Sequence, residues 1–435
     1  MTPPKPPSRP EGAGPLARLR LFRKDIFRSQ PGRLYRAWMA EMRTPISRSF
    51  LVNDPTIVSQ VLREAPEDFP KANLIGAVLR PLLGQSVFVT NGAQWRAQRR
   101  VIDPAFEGGR LKAQFPAMRA AVEEAVAHWP EGEADAEPLC SRLAADIIFR
   151  TLFSRPITDD DACAVFAAFQ AYQRSQPVLS PLALLRLPSL RRGGRFARAA
   201  RAPIERMVTA RAREIADGTA PDDLATRLMT TPDPETGRCF GTREMIDQVA
   251  IFFLAGHETS ASALAWALWL LATHPQVQAE AREEARAELD APSDLSRFPL
   301  LRDVMRETLR LYPPVPMMVR ESTRAQTWRG RGVPKRSLVI LSPWHLHRHT
   351  RLWDDPDAFK PERWQTPPPR EQYMPFSQGP RICPGAGFAM MESVLALHRL
   401  LRAFEFASGD EVPVPVAHLT VRSENGIRLR ATRRV

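Results

Sequence analysis

A loop toward the end of the chain reads Phe376-Ser377-Gln378-Gly379-Pro380-Arg381-Ile382-Cys383-Pro384-Gly385. Its glycines let backbone approach a flat ligand closely, and Gly379 is free to take a turn conformation that is closed to residues with a side chain. Backbone N–H groups next to Cys383 are placed to donate to the sulfur, which lowers the pKa of a thiol and tunes its electron donation. Arg381 is placed to pair with a carboxylate. The loop therefore predicts a single thiolate held under a large anionic cofactor.

An apolar helical pattern resumes over residues 387–392, so Cys383 precedes a helix N-terminus, whose dipole favours an anionic sulfur. The alternative for this loop alone is a buried structural cysteine in a turn. The pattern Phe-x-x-Gly-x-Arg-x-Cys-x-Gly resembles the haem-ligand loop of the cytochrome P-450 family and fixes five positions within ten residues. The resemblance implies that Cys383 is the ligand to the iron of haem b. It also implies that four other loop residues contact this cofactor: Phe376, Gly379, Arg381 and Gly385.

Length and composition are those of a large globular protein. The 435 residues, 44% hydrophobic and 25% charged, are ample for a sizeable core, and length alone suggests roughly three domains. The four cysteines (Cys140, Cys163, Cys239 and Cys383) are widely spaced and form no Cys-x-x-Cys pair. We therefore expect no disulfide framework and a reducing, cytoplasmic compartment.

Two segments bear on targeting. Residues 1–15 are Pro-rich and lack an apolar signal core, which predicts a disordered tail before a single catalytic domain over residues 16–435. Residues 16–24 are basic and amphipathic, which favours a solvated first helix over attachment to a membrane surface. The most apolar stretch, residues 249–272, carries a polar insert and so predicts a buried helix and no transmembrane segment.

The chain is strongly basic, with a net charge of +13 from 61 Lys and Arg against 48 Asp and Glu. The positive residues are spread along the sequence and form no DNA-binding module, so we expect no nucleic-acid partner. A positive face that docks an acidic electron donor explains the charge, and incidental surface charge is an equal alternative.

Helical periodicity dominates the middle of the chain, for example over residues 201–217 and 276–289. Short strand-like runs lie at both ends, at residues 49–52, 87–90 and 337–341. Residues 419–421 and 427–429 predict a final hairpin. The sequence therefore predicts a mainly α protein with small β-sheets.

The run Ala255-Gly256-His257-Glu258-Thr259-Ser260 lies in a helix predicted over residues 242–274. Gly256 lets something approach the helix closely, and Thr259 can hydrogen-bond to the preceding turn and loosen the helix. An acid–alcohol pair in an apolar helix costs stability unless it is satisfied or used, so a structural insert and a functional one are equally open. The run resembles the family's oxygen-binding segment. That resemblance implies a catalytic set of Ala255, Gly256, Glu258 and Thr259, in which the acid and the threonine manage proton delivery.

A second constellation joins Glu307 and Arg310, which are three residues apart on one helix face and close enough to pair. Such a pair occurs by chance in any charged helix. With Arg363 in the run Pro361-Glu362-Arg363-Trp364, it resembles the family's buried Glu-Arg-Arg cluster. The resemblance implies a structural role, bracing the core behind the haem.

A third constellation, Trp95-Arg96-Ala97-Gln98-Arg99, matches the family's Trp-x-x-x-Arg motif. Trp95 and Arg99 are one helix turn apart and offer an indole N–H and a guanidinium to one anion, such as a haem propionate. A plain surface helix would explain the pair without the cysteine loop. Arg320, after the bend at Pro314-Val315-Pro316, is a further candidate for cofactor binding.

Together these motifs imply the family's triangular helical prism with small β-sheets, and a haem-thiolate monooxygenase that inserts one atom of O2 into its substrate. The chain lacks a nucleotide-binding Gly-rich fingerprint and room for a reductase domain. We therefore expect a monomer that receives electrons from NAD(P)H through a ferredoxin-type or flavodoxin-type donor and its reductase. The alternative is a haem-thiolate protein with a sensing, isomerase or peroxygenase role; the intact pair of Glu258 and Thr259 counts against it.

The family topology also implies which residues line the substrate pocket. They are residues 75–89, Phe252 with Ala255, residues 315–319 and the tip near Thr420, with residues 166–187 lying over the pocket as helices and a lid. These segments are largely apolar, so we expect a hydrophobic substrate such as a fatty acid, terpenoid or carotenoid-like compound. Core packing explains the same composition equally well.

Overall fold

A computed structural model describes residues 1–44, 47–175, 188–417 and 419–434. The predicted lid extends into residues 176–187, which lie outside the described part of the chain. Helices dominate the described residues, whose strands form four small β-sheets, and this confirms the predicted mainly α class.

The helices are, in chain order, α1 (Pro15–Lys24), α2 (Pro55–Ser59), α3 (Asn73–Leu83), α4 (Gly92–Ile102), α5 (Gly108–Lys112), α6 (Phe115–Ala127), α7 (Ala136–Phe153), α8 (Asp160–Ser175), α9 (Pro188–Ala216), α10 (Leu224–Thr230), α11 (Thr242–Thr273), α12 (Pro275–Glu284), α13 (Pro299–Leu311), α14 (Pro343–Leu346) and α15 (Ala386–Ala403). A π-helical turn, Gln60–Glu64, extends α2.

The strands are β1 (Met39–Arg43), β2 (Arg48–Val52), β3 (Gly132–Asp135), β4 (Met318–Glu321), β5 (Gln326–Trp328), β6 (Arg331–Val333), β7 (Leu338–Leu341), β8 (Phe404–Ser408), β9 (Pro415–Ala417), β10 (Val421–Ser423) and β11 (Arg428–Arg433). They form sheets ordered β1-β2-β7-β4 and β3-β11-β8, with two-stranded sheets β5-β6 and β9-β10. Within the four-stranded sheet, β2 and β7 are parallel and the other pairs are antiparallel.

Helix α11 is the axis of the fold. It spans 32 residues, one residue shorter at its end than predicted, and begins where the Glu244 carboxylate accepts from the Gly241 N–H at 3.0 Å. Its second half is buried on all sides, with Trp266 and Trp269 almost fully covered. A helix that is apolar all round belongs in a core, and α7, α13 and α15 pack around this one.

Two predicted strand assignments are wrong. Residues 87–90 form turns, in which the Val89 N–H donates to the Ser86 carbonyl at 3.0 Å. The predicted final hairpin does not form, because β10 pairs with β9 and β11 lies between β3 and β8. Both runs are apolar enough for strands, but tertiary packing decides their partners.

The Pro-rich segment of residues 1–15, expected to be a disordered tail, lies against the folded domain. Pro3 and Pro6 are buried, and the Tyr312 hydroxyl donates to the Pro4 carbonyl at 3.0 Å. Within the described part of the chain, no helix is both long and apolar enough to cross a membrane.

Candidate active site

The cysteine loop is a tight turn anchored by its own backbone. The Cys383 N–H donates to the Phe376 carbonyl at 2.9 Å, and the Ile382 N–H donates to the Gly379 carbonyl at 3.0 Å. The Gly385 N–H donates to the Cys383 sulfur, as the sequence predicts. Helix α15 starts at Ala386, which places the thiol just outside the helix N-terminus.

The Cys383 thiol is accessible, although protein surrounds it closely. Cys383 is exposed, yet desolvation by the surrounding protein is the largest influence on it and raises the pKa of its thiol. Both hold together for a side chain that a small molecule can reach while protein lies close around it. The sequence predicted that backbone N–H groups next to the sulfur lower the pKa of this thiol. The Gly385 N–H, Arg99 and Lys71 act in the expected direction but are outweighed by burial.

The two loop glycines differ in backbone conformation, and Gly379 takes the left-handed turn conformation that the sequence predicted. Gly379 has φ +68°, and a Cβ there would lie 1.9 Å from the Leu62 carbonyl oxygen in the π-helical turn. Gly379 therefore packs against the backbone of the π-helical turn, and a side chain at this position would displace that turn. Gly385 has an ordinary φ of −84°, and a Cβ on it would lie 3.9 Å from the Cys383 sulfur. It borders the thiol directly.

One stripe of the buried helix α11 is open. Ala255 is exposed and Phe252, Gly256 and Thr259 are half-buried, whereas almost all neighbouring positions on the helix are buried. Helical spacing places residues 252, 255, 256 and 259 on one face. Accessible positions in the middle of a core helix are expected where a ligand covers the helix. The stripe includes three of the four residues of the expected catalytic set, Ala255, Gly256 and Thr259.

The side chains of Glu258 and Thr259 have different hydrogen-bond partners. The Thr259 hydroxyl donates to the Ala255 carbonyl one turn earlier, at 2.5 Å. The Glu258 carboxylate is buried and accepts from the Thr420 hydroxyl at 2.5 Å, and the Arg422 guanidinium lies 3.0 Å away. The acid is thus turned toward the hairpin β9-β10.

Gly256 is needed for helix packing. A Cβ on it would lie 2.4 Å from Cδ1 of Ile148 in α7. The sequence predicted that some group approaches the helix closely at Gly256. In the structure, the side chain of Ile148 on the neighbouring helix α7 does so.

Among the described residues, three cations lie near the cysteine loop outside any ion pair, although Glu67 acts on Arg381 from farther away. They are Lys71, Arg320 and Arg381, and among the described residues no acid lies within ion-pair distance of any of them. Burial lowers the pKa of Arg320 and of Arg381 to about 10, and Arg381 adds to the effect on Arg320. The pKa of Lys71 is lowered well below its usual value by burial, then by Arg320, Arg381 and Arg99. Desolvated like charges of this kind are costly unless an anion joins them.

Trp95 and Arg99 border the same region. Trp95 is buried, and the Arg381 guanidinium lies 4.1 Å from the centre of its ring. Arg99 donates to the Ile382 carbonyl at 2.8 Å and pairs with Asp103 at 2.7 Å. Arg99 therefore also braces the cysteine loop, a role that the motif did not reveal.

The structure brings Glu307, Arg310 and Arg363 together in the core. Glu307 and Arg310 are fully buried and joined by two hydrogen bonds of 2.7 and 2.8 Å. Arg363 lies 3.4 Å from the Glu307 carboxylate, which also accepts from the Trp364 indole at 3.1 Å. Arg310 donates onward to the carbonyls of His347, Pro356 and Ala358. The cluster ties α13 to the chain that leads into the cysteine loop.

These features fit haem b. An accessible thiol, an open stripe on a core helix and a group of desolvated cations are the groups that a flat macrocycle with an iron centre and two propionates requires. Among the described residues, no group of His, Cys, Asp and Glu is arranged to hold a metal ion by itself.

Sequence analysis missed Lys71 and Arg422. Lys71 carries no periodic or motif signal, because only tertiary packing brings it to Cys383, where its ammonium lies 3.9 Å from the centre of the Phe88 ring. Arg422 lies two residues after Thr420, which was assigned to the pocket. Alternation along a strand would have placed both side chains on one face.

Comparison with known proteins gives a consistent result. The sequence profile of the family described as Cytochrome P450 matches residues 24–429. Cyclooctat-9-en-7-ol 5-monooxygenase of Streptomyces melanosporofaciens is 33% identical over 371 residues, which cover 82% of this chain and 80% of the relative. Pentalenene oxygenase of Streptomyces avermitilis is 30% identical over 413 residues, covering 91% and 90%. The crystal structure of the cytochrome P450DA heme domain is similar with a TM-score of 0.82 at 23% identity, covering 100% of this chain and 98% of that one, and shows the fold.

Proposed function

Because the chain belongs to the cytochrome P450 family and is a haem-thiolate monooxygenase, we propose that it oxidises a hydrophobic substrate with electrons from a ferredoxin-type or flavodoxin-type donor. The observation that carries the proposal is the open stripe of α11 with Ala255 and Thr259, in a chain whose Cys383 thiol is accessible as well. We assign the activity to a single catalytic domain over residues 16–435.

In this proposal Cys383 is the protein ligand to the haem iron. Lys71, Arg320 and Arg381 bind the propionates, because an anion there offsets the mutual repulsion of three desolvated cations. Trp95 and Arg99 complete that wall. Bound there, haem b supplies the O2 activation and one-electron chemistry that side chains lack.

The protein itself manages protons and water near the open stripe. The Thr259 hydroxyl is the polar side-chain group of the stripe, and its bond to the Ala255 carbonyl fixes its orientation. Glu258 is the adjacent acid, and its buried carboxylate has a route to solvent through the half-exposed Arg422. We assign Thr259 to orienting a proton donor and Glu258 to proton supply.

Replacing Thr259 by Ala should uncouple the enzyme. We expect haem content to stay normal, because the hydroxyl bonds only within its own helix turn. Product formed per NAD(P)H consumed should fall by about tenfold or more, with hydrogen peroxide making up the difference. Thr259→Ser keeps the hydroxyl and is the matched control. An unchanged product yield in the Ala variant would remove this role.

The electron donor should bind beside the cysteine loop. Helix α5 packs there, since Leu111 reaches within 3.0 Å of where a Cβ on Gly387 would lie. Arg110 and Lys112 on α5 are exposed, and Ile382 of the loop is 44% exposed. A positive rim around an apolar contact close to the thiolate suits an acidic donor, whose encounter it steers.

The double variant Arg110→Glu and Lys112→Glu should weaken this docking. We expect the KM for an acidic ferredoxin to rise about tenfold at low salt, with the difference shrinking as salt screens the charges. The control has the same charge change, Arg331→Glu with Arg430→Glu, on exposed positions of β6 and β11. Equal KM values for the two double variants would show that the donor docks on another face of the protein.

We propose a hydrophobic substrate such as a fatty acid, terpenoid or carotenoid-like compound. Support comes from the apolar open positions Phe252, Ala255 and Val315, which is 37% exposed after the Pro314 bend. Two relatives, cyclooctat-9-en-7-ol 5-monooxygenase and pentalenene oxygenase, are named for the organic compounds that they oxidise. Screening hydrophobic compounds for a substrate-induced spin shift of the haem tests the class. Turnover of a hit under 18O2 then tests insertion of one oxygen atom.

A further inference from the structure

Asp247, near the start of α11, joins three segments of the chain. Its side chain is 8% exposed, and its Oδ1 lies 2.5 Å from Nη2 of Arg201 on α9. Its Oδ2 accepts from the Gln85 N–H, just after α3, at 2.7 Å. Arg201 also donates through Nη1 to the Leu82 carbonyl in the last turn of α3, at 2.8 Å. One ion pair therefore holds the end of α3 to both α9 and α11.

Gly84 shows how closely the turn after α3 is fitted to this carboxylate. Its backbone has φ +52° and ψ −126°, a conformation that residues with a side chain rarely adopt. A Cβ on Gly84 would lie 2.0 Å from Oδ1 and 2.2 Å from Cγ of Asp247. The turn therefore packs directly on the Asp247 side chain, and a substitution at either residue disturbs the other.

The ion pair fixes one end of a short segment, residues 85–90. Next to Asp247 on α11, the Gln248 side chain accepts from the Val87 N–H at 3.0 Å. Farther along the segment, Lys71 donates to the Phe88 carbonyl at 2.6 Å, and this lysine is one of the three cations assigned to the propionates. The segment is therefore held between the start of α11 and the cations beside the cysteine loop.

Helical spacing places this segment at one end of the open stripe of α11. Gln248 is four residues before Phe252, so the two lie one turn apart on the same face of the helix. Phe252 is the first position of the stripe, which continues to Ala255 and Thr259. Residues 85–90 thus border the stripe at its N-terminal end. A ligand that covers the stripe meets this segment, whose position then limits the size of the ligand.

Arg201 is the side chain of α9 that bonds to α3 and to α11. Farther along α9, Arg206 pairs with Asp161 of α8, and Arg211 pairs with Asp223 at the start of α10. These two pairs hold α9 to other helices and reach neither α3 nor α11. The position of α9 relative to residues 85–90 therefore depends on Arg201 and its partners.

We propose that Arg201 and Asp247 determine the size of ligand that this enzyme admits over the stripe, by holding residues 85–90 against α11. With the pair intact, the turn at Gly84 stays on the carboxylate and small ligands are favoured. With the pair broken, Gln85 and Val87 can move away from α11, and the space over the stripe widens. Both members of the pair are positioning residues, because they act through the segment. The inference rests on the proposed function for the place of the substrate over the stripe.

Azole binding to the ferric holoprotein tests this inference without turnover. An azole nitrogen that binds the haem iron shifts the main absorption band, so Kd is read from the spectrum. The probes are imidazole, which is small, and clotrimazole, an imidazole with a bulky triphenylmethyl group. In Arg201→Gln and in Asp247→Asn, the affinity for clotrimazole should rise about tenfold, the effect of losing one hydrogen bond to a charged group. The affinity for imidazole should stay nearly unchanged.

Arg206→Gln is the matched control, because it removes an arginine–aspartate pair from the same helix without touching α3 or α11. Its affinities for both azoles should equal those of the natural protein. The double variant Arg201→Gln with Asp247→Asn should show the same shift as either single variant, because the two residues act through one contact. Additive shifts would overturn the proposal, since they would show that the two residues act separately.

An unchanged ratio of clotrimazole to imidazole affinity in both single variants would also overturn the proposal. A parallel change for the two azoles would do so too, because it would show that the pair only stabilises the fold. Should neither variant retain haem, Gly84→Ala carries the test, since its methyl group would displace the carboxylate from the turn. An unchanged ratio in that variant would again overturn it. Azole spectra need neither O2 nor an electron donor, so this proposal and the proposed function fail separately.

Discussion

Cys383→Ala is expected to abolish the thiolate-type absorption of the carbon-monoxide-bound ferrous protein. The other three cysteines lack a comparable setting. Cys140 is buried inside α7, Cys163 donates to the Ile157 carbonyl at 3.0 Å, and Cys239 is half-buried. None of them is held by a loop with an N–H directed at its sulfur, as Cys383 is.

The alanine variant should still bind some haem, because Lys71, Arg320 and Arg381 remain to hold the propionates. The carbon-monoxide difference spectrum and haem content are measured together, with Cys163→Ala as the control at a partly accessible thiol. Retention of the thiolate-type spectrum in Cys383→Ala would show that another group binds the iron. Loss of the thiolate-type spectrum in Cys163→Ala would likewise show that a group other than Cys383 binds the iron.

The local motifs carried most of the information about the site. The loop at Cys383 and the helix spanning Glu258 and Thr259 were predictable because each needs only neighbouring residues to define its chemistry. The end of α11 was predicted to within one residue, since apolar periodicity and a start signal at Glu244 agree there.

What the sequence could not give are contacts between distant segments. Gly379 leaves room for the Leu62 carbonyl, and Gly256 leaves room for the Ile148 side chain. Lys71 lies close to the cysteine loop although the two are separated by more than half the chain. The presence of a glycine or a lysine in the sequence does not indicate which distant residue it contacts. The raised pKa of the Cys383 thiol has the same origin, because desolvation depends on the packed surroundings and not on the flanking residues.

Glu307→Ala is expected to cost more stability than any surface change in this protein. The carboxylate is fully buried and accepts from Arg310, Arg363, Trp364 and the Lys360 N–H. Removing it strands the Arg310 guanidinium, itself fully buried, at a cost of about 3–5 kcal/mol. Domains of this kind are stable by only about 5–15 kcal/mol, so little soluble holoprotein should remain.

The chain offers a matched control for this variant. Glu283 and Arg286 have the same three-residue spacing and lie 3.1 Å apart, but their side chains are 68% and 75% exposed. Glu283→Ala should therefore change the free energy of unfolding by less than about 1 kcal/mol. Soluble haem content and urea unfolding are measured for both variants. Because the Glu307 cluster joins α13 to the segment that leads into the cysteine loop, haem should be lost from Glu307→Ala at lower urea than from the control. Similar midpoints for the two variants would mean that the buried cluster does not brace the haem side of the fold.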